Sequence, residues 1–135
     1  MTLNFFKTHK RTSIYDEDDF SELQNVIGSL EQIVVLPNVW TEVDNLLNGF
    51  SGNYKYSYIS IFADLIELTT ETYISSDKAI SKYEFYHLGL TDSLILEKAS
   101  TCELLITSDS RLFDYASANG IQVYDLVKAK NAKLK

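Results

Sequence analysis

The sequence contains very few of the residues that build covalently linked or extended folds. Of its 135 residues, one is Pro, five are Gly and one is Cys, which excludes collagen-like, proline-rich and disulfide-linked architectures. Cys102 has no second cysteine with which to form a disulfide or a CxxC zinc or redox motif. A chain without disulfides is typical of a reducing compartment, and we expect a cytoplasmic location.

Long apolar runs and an excess of positive charge are also absent. The most apolar stretch, from Tyr56 to Leu68, is interrupted by Asp64 and Glu67. It is shorter than the roughly 20 apolar residues that span a membrane, so we expect no membrane partner. The net charge of −7 is opposite in sign to that of proteins that bind nucleic acid by charge alone. A metal-dependent nucleic-acid enzyme is not excluded, because a divalent ion held by carboxylates reverses the field locally.

Strands and helices alternate along the chain. The apolar spacing predicts a helix beginning at Asp16–Asp19, a strand at Gln32–Leu36, helices at Val39–Leu47 and Tyr54–Leu68, a short strand at Glu71–Ile74, helices at Asp77–Tyr86 and from Leu90, a strand at Glu103–Thr107, a helix at Ser110–Asn119 and a strand at Ile121–Tyr124. This alternation predicts an α/β fold with a parallel sheet flanked by helices. We predict one domain over residues 1–135, in which a basic N-terminal segment 1–14 and a lysine-rich tail 128–135 are both expected to be flexible.

Three acidic residues occupy positions where parallel sheets gather reactive groups, just beyond the carboxyl ends of strands. Asp109 follows the strand that contains Ile106, Asp92 lies in the first turn of a helix, and Glu42 lies in the helix after the first strand. Converging carboxylates repel one another unless a cation lies among them, and an all-oxygen ligand set suits Mg²⁺ or Mn²⁺. Each acid also has a structural interpretation: Asp92 as a helix N-terminal charge, Asp109 as a helix cap and Glu42 as a surface acid.

Together these segments resemble the PIN-domain family. The likeness is carried by Leu36-Pro-Asn-Val-Trp-Thr-Glu-Val-Asp-Asn-Leu-Leu47, by Gly89-Leu-Thr-Asp-Ser-Leu-Ile95, and by Leu104-Leu-Ile-Thr-Ser-Asp-Ser-Arg-Leu112 followed by Asn119-Gly-Ile-Gln-Val-Tyr124. The stretch Lys10–Phe20 is similar to one bacterial branch of the family. The resemblance covers residues 10–126, and its three motifs occur in the family's order at suitable spacing.

The resemblance implies a three-layer PIN-like fold and a metal-dependent endoribonuclease, often the toxin of a toxin–antitoxin pair. In this family one or two Mg²⁺ or Mn²⁺ ions activate water for attack on an RNA phosphodiester. Carried over to this chain, Glu42, Asp92 and Asp109 would be the catalytic metal ligands. Asn45 and Thr107 would be polar groups near the site, and Thr107 could hydrogen-bond a ligating carboxylate.

An acidic nuclease also needs positive charge to hold RNA. The candidates are Lys7, Lys10 and Arg11 in the basic segment, and Arg111 beside Asp109. The expected partners are an RNA substrate and either an antitoxin-like protein or a second copy of the chain.

The sequence departs from the family before Lys10. A PIN domain opens with a central strand that ends in an Asp and is followed by a helix, and nothing between Met1 and Lys10 has that pattern. We therefore expect a strand and a helix, roughly twenty to thirty residues, to be missing. The site would then have three of the family's four carboxylates.

The missing strand would leave a gap between the strands at Ile33 and Leu104. It could be filled by direct pairing of those strands, by Leu3–Phe6, or by a strand from a partner or a second copy. The alternative function is therefore a catalytically impaired, truncated PIN-like domain that acts through protein contacts. An unrelated flavodoxin-like or receiver-like binding module is a third possibility.

Overall fold

A computed structural model describes residues 25–133 of the chain. Residues 25–27 are helical, and a 3-10 turn follows at Leu30–Gln32. The α-helices that come after it are α1 (Pro37–Asn48), α2 (Tyr54–Leu68), α3 (Asp77–Ile80), α4 (Phe85–Leu88), α5 (Leu90–Ala99), α6 (Ser110–Ala118) and α7 (Leu126–Lys133). The strands are β1 (Val34–Val35), β2 (Thr70–Glu71), β3 (Leu105–Thr107) and β4 (Val123–Asp125). None of the helices in the described residues is long and apolar enough to cross a membrane.

The strands pair in parallel, as predicted, but they form two small sheets. In the first, Val34 of β1 lies opposite Thr70 of β2. In the second, β3 runs beside β4, with Leu105 opposite Val123. Within residues 25–133 the strands near Ile33 and Leu104 thus belong to separate sheets. The predicted mixture of helices and parallel strands is confirmed. The described residues do not, however, form one continuous sheet.

Two helical predictions differ from the structure. The stretch predicted as one helix, Asp77–Tyr86, forms the two short helices α3 and α4. Ser81 Oγ donates to the carbonyl oxygen of Lys78 at 3.2 Å, and such a local side-chain bond competes with helical hydrogen bonding. The segment Leu126–Lys133, for which no helix was predicted, forms helix α7, and the expected flexibility of the tail stays a prediction. The helix predicted to begin at Asp16 lies mostly outside the described residues, as does Leu3–Phe6.

The chain divides into two compact units, Met1–Tyr73 and Ile74–Lys135, and the prediction of one domain stays a prediction. In the first unit, Leu36 and Leu47 are buried. The chain's single tryptophan, Trp40, packs edge-on against Phe62 with the ring centroids 5.7 Å apart. Helix α2 contains no fully buried residue, so its predicted apolar face is only partly covered.

Among the described residues, most of the buried apolar side chains belong to the second unit. Leu96 and Ala99 of α5 pack with Leu105 of β3 and with Leu112 and Ala116 of α6. This core fixes α5 and α6 against β3. It therefore holds in place the segments that carry Asp92 and Asp109.

Candidate functional site

Asp109 caps the helix that follows β3. Its Oδ1 accepts hydrogen bonds from the backbone N–H groups of Arg111, at 2.9 Å, and Leu112, at 3.2 Å. These are two of the N–H groups that have no partner inside a helix's first turn. The interpretation of Asp109 as a helix cap is therefore confirmed, and its carboxylate lies exposed at the carboxyl end of β3.

Thr107 stabilises the turn that presents this carboxylate. Its Oγ1 accepts a hydrogen bond from the backbone N–H of Asp109 at 3.0 Å. The bond therefore joins Thr107 to the amide of Asp109, whereas the sequence suggested a bond to the carboxylate. Thr107 thus fixes the backbone from which the Asp109 side chain projects.

Asp125 is a second capping carboxylate, and it is not among the acids predicted from the sequence. It is the last residue of β4, lies opposite Thr107 in the strand register, and is only 8% exposed. Its Oδ1 accepts from the backbone N–H groups of Val127, at 2.9 Å, and Lys128, at 3.1 Å. The sequence shows the same signal at Asp125 as at Asp109, namely an acid at the end of a predicted strand. Two neighbouring parallel strands thus each lead into a helix capped by Asp.

Asp92 lies in the first turn of α5, as predicted, and is half-buried. The residue that opens this helix, Gly89, has φ +84° and ψ −176°, a conformation that is accessible almost only to glycine. The carboxylate is therefore near the positive end of the helix dipole. The interpretation of Asp92 as a helix N-terminal charge is compatible with this position, and so is a role as a ligand.

Glu42 and Asn45 lie in the other unit. Both are on α1, the helix that follows β1, and both are exposed. Across residues 25–133, no three His, Cys, Asp or Glu side chains are grouped closely enough to hold one metal ion.

Among the predicted RNA-binding residues, the structure describes Arg111. Its side chain is exposed, and Nη2 donates to the carbonyl oxygen of His87 at 2.6 Å. This bond ties the start of α6 to the end of α4. Lys7, Lys10 and Arg11 lie outside the described residues.

The capping geometry predicts that two substitutions of Asp109 have different effects on stability. Asp109→Ala should lower the free energy of unfolding by about 0.5–2 kcal/mol, because it removes both capping bonds. Asp109→Asn should cost much less, because the amide oxygen still accepts a hydrogen bond from the first turn. Urea unfolding of the two variants beside the wild type measures this difference, and equal losses would show that Asp109 does not act as a cap.

No protein-family model matches the chain, and it matches no curated protein and no solved structure. The likeness to PIN domains therefore rests on the sequence segments around Glu42, Asp92 and Asp109. The structure adds the position of each acid in its helix or turn.

Proposed function

We propose that the chain is a PIN-like endoribonuclease that depends on Mg²⁺ or Mn²⁺ and hydrolyses phosphodiester bonds of RNA. The supporting observation is the position of the three acids in their elements. Glu42 lies in the helix directly after β1, Asp92 lies in the first turn of α5, and Asp109 follows the carboxyl end of β3. These are the positions that the resemblance to PIN domains requires.

The donor chemistry of these residues suits the proposed ions. All three are carboxylates, and carboxylate oxygens are the ligands that Mg²⁺ and Mn²⁺ prefer. Both capping bonds of Asp109 are accepted by Oδ1, so a carboxylate in this position can cap its helix with one oxygen and bind an ion with the other. When bound, the ion would activate the attacking water and neutralise charge on the leaving oxygen.

The remaining proposed residues would hold the site and the substrate. Thr107 fixes the turn before Asp109, and Asn45 lies three residues after Glu42 on α1. Arg111, together with the basic segment that contains Lys7, Lys10 and Arg11, would contact the phosphates of RNA. The full proposal includes the three-layer PIN-like fold, a cytoplasmic location and, as in many such proteins, a role as a toxin with an antitoxin-like partner.

Metal removal tests the proposed reaction. The full chain, incubated with an end-labelled single-stranded RNA, should cleave it in Mn²⁺ and lose all cleavage when EDTA is added, because the ion is needed to activate water. Excess Mn²⁺ or Mg²⁺ added afterwards should restore cleavage. Cleavage that persists in EDTA would contradict a metal-dependent reaction.

A second candidate is a catalytically impaired PIN-like domain that acts through protein contacts. It is favoured by the capping roles of Asp109 and Asp125, because helix capping alone accounts for both carboxylates. This candidate predicts a stably folded chain that neither cleaves RNA nor binds Mn²⁺ appreciably. Calorimetric titration with Mn²⁺ separates the two, since saturable tight binding contradicts the second candidate.

A further inference from the structure

The second unit contains a cavity that the proposed nuclease site does not use. Its volume is about 160 Å³, and it lies between α5, the segment after α3 and the turn after α6. A single water needs roughly 10–15 Å³ of such space, so the cavity has room for several waters or for one small organic molecule. Its lining is both polar and apolar.

Ser93 is the most informative residue of this lining. It has no exposed surface, yet its Oγ has no hydrogen-bond partner in the structure. A buried hydroxyl without a partner costs free energy, and such groups are rare in folded proteins. Because Ser93 lines the cavity, a molecule bound there would supply the missing hydrogen bond.

The other polar groups of the lining offer mainly acceptors. Ser100 Oγ already donates to the carbonyl oxygen of Glu97 at 2.8 Å, and Asn119 Nδ2 donates to that of Tyr115 at 2.7 Å. Ser100 retains the acceptor capacity of its hydroxyl, and Asn119 retains an amide oxygen and one N–H. A ligand that donates hydrogen bonds therefore finds an acceptor on each of these two side chains.

The charges around the cavity also favour a ligand that donates hydrogen bonds. Lys82 forms an ion pair with Glu97, which neutralises its ammonium group. Glu84 is the carboxylate of the lining, so the Lys82–Glu97 pair and Glu84 together carry a net charge of −1. Leu96 and Ile121 form the apolar part of the wall.

We propose that this cavity binds a small organic cation, a primary alkylammonium. Its N–H groups donate to Glu84 and Ser93, and its alkyl stem packs against Leu96 and Ile121. The site lies within one unit and does not depend on the proposed ribonuclease activity.

The test uses three probes that share a four-carbon stem: n-butylammonium, butyrate and n-butanol. Each is titrated into the full-length chain and followed by calorimetry and by the methyl NMR signals of Leu96 and Ile121. Only n-butylammonium should bind in a saturable way and shift both methyl signals. Butyrate that binds as tightly as n-butylammonium, or no saturable binding by any probe, would overturn the proposal, the latter because the cavity then holds water only.

Two variants and a control locate the binding. Glu84→Gln should weaken n-butylammonium binding about tenfold, because it replaces a charge-assisted hydrogen bond by a neutral one. Ser93→Ala should weaken it several-fold and still fold, because it removes a buried hydroxyl that has no partner in the protein. Ser117→Ala, an exposed serine of α6, should change nothing. Unchanged binding in both cavity variants would reject the site.

Discussion

Asparagine in place of Asp92 is expected to reduce the rate of RNA cleavage at least about 100-fold. The substitution keeps the size of the side chain and removes the charge with which it would bind a divalent ion. Metal ions contribute several kcal/mol to the stabilisation of such transition states, and about 2.7 kcal/mol corresponds to a 100-fold change in rate. Cleavage of labelled RNA in Mn²⁺ by wild type and Asp92→Asn gives the ratio directly.

The control must separate loss of a ligand from loss of a helix N-terminal charge. A carboxylate in the first turn of α5 stabilises the helix by about 0.3–1 kcal/mol, so Asp92→Asn should still unfold close to wild type in urea. Asp114→Asn removes an exposed charge in the interior of α6 in the same unit, and its cleavage rate should equal that of wild type. A folded Asp92→Asn protein with the wild-type rate would show that Asp92 is not a metal ligand.

Leu94→Ala is expected to lower the free energy of unfolding of the second unit by about 2–5 kcal/mol. Leu94 is 1% exposed and lies on α5, which packs against α3 and α4. Truncation to Ala removes buried methyl groups and leaves a cavity where the neighbours cannot fully collapse. This loss is a large part of the roughly 5–15 kcal/mol that stabilises a typical domain.

Leu90→Ala is the matched comparison for Leu94→Ala. It makes the same chemical change on the same helix, but Leu90 is 38% exposed. Less apolar surface returns to water and no enclosed cavity forms, so the loss should be well below that of Leu94→Ala. Denaturant unfolding followed by circular dichroism measures both, and equal losses would show that Leu94 is not a core residue.

Local pattern was sufficient to predict the long helices and the turns around two acids. The boundaries of α2 were predicted correctly, since its apolar residues recur over fifteen positions. The turn that brings Asp109 to the start of α6 was visible as an acid between a strand and a helix. The first-turn position of Asp92 was predictable because Asp92 lies shortly after Gly89 and just before the apolar residues of a helix.

Features that depend on tertiary partners were not predictable in this way. The strands are two or three residues long, and pairing into two sheets depends on which strands meet. Helix α7 was missed because Asp125, which directly follows the predicted strand Ile121–Tyr124, was not recognised as a helix cap. The unpartnered hydroxyl of Ser93 arises from the packing around α5, and no spacing in the sequence signals it.

The position of Trp40 gives the chain an optical reporter confined to one of its two units. Its indole packs against Phe62 within Met1–Tyr73, whereas Leu94 belongs to the other unit. If all 135 residues unfold in one cooperative transition, Trp40 emission and circular dichroism will give the same midpoint. Leu94→Ala will then shift the Trp40 emission midpoint as well. A midpoint that stays in place while the circular dichroism curve moves shows that the two units unfold independently.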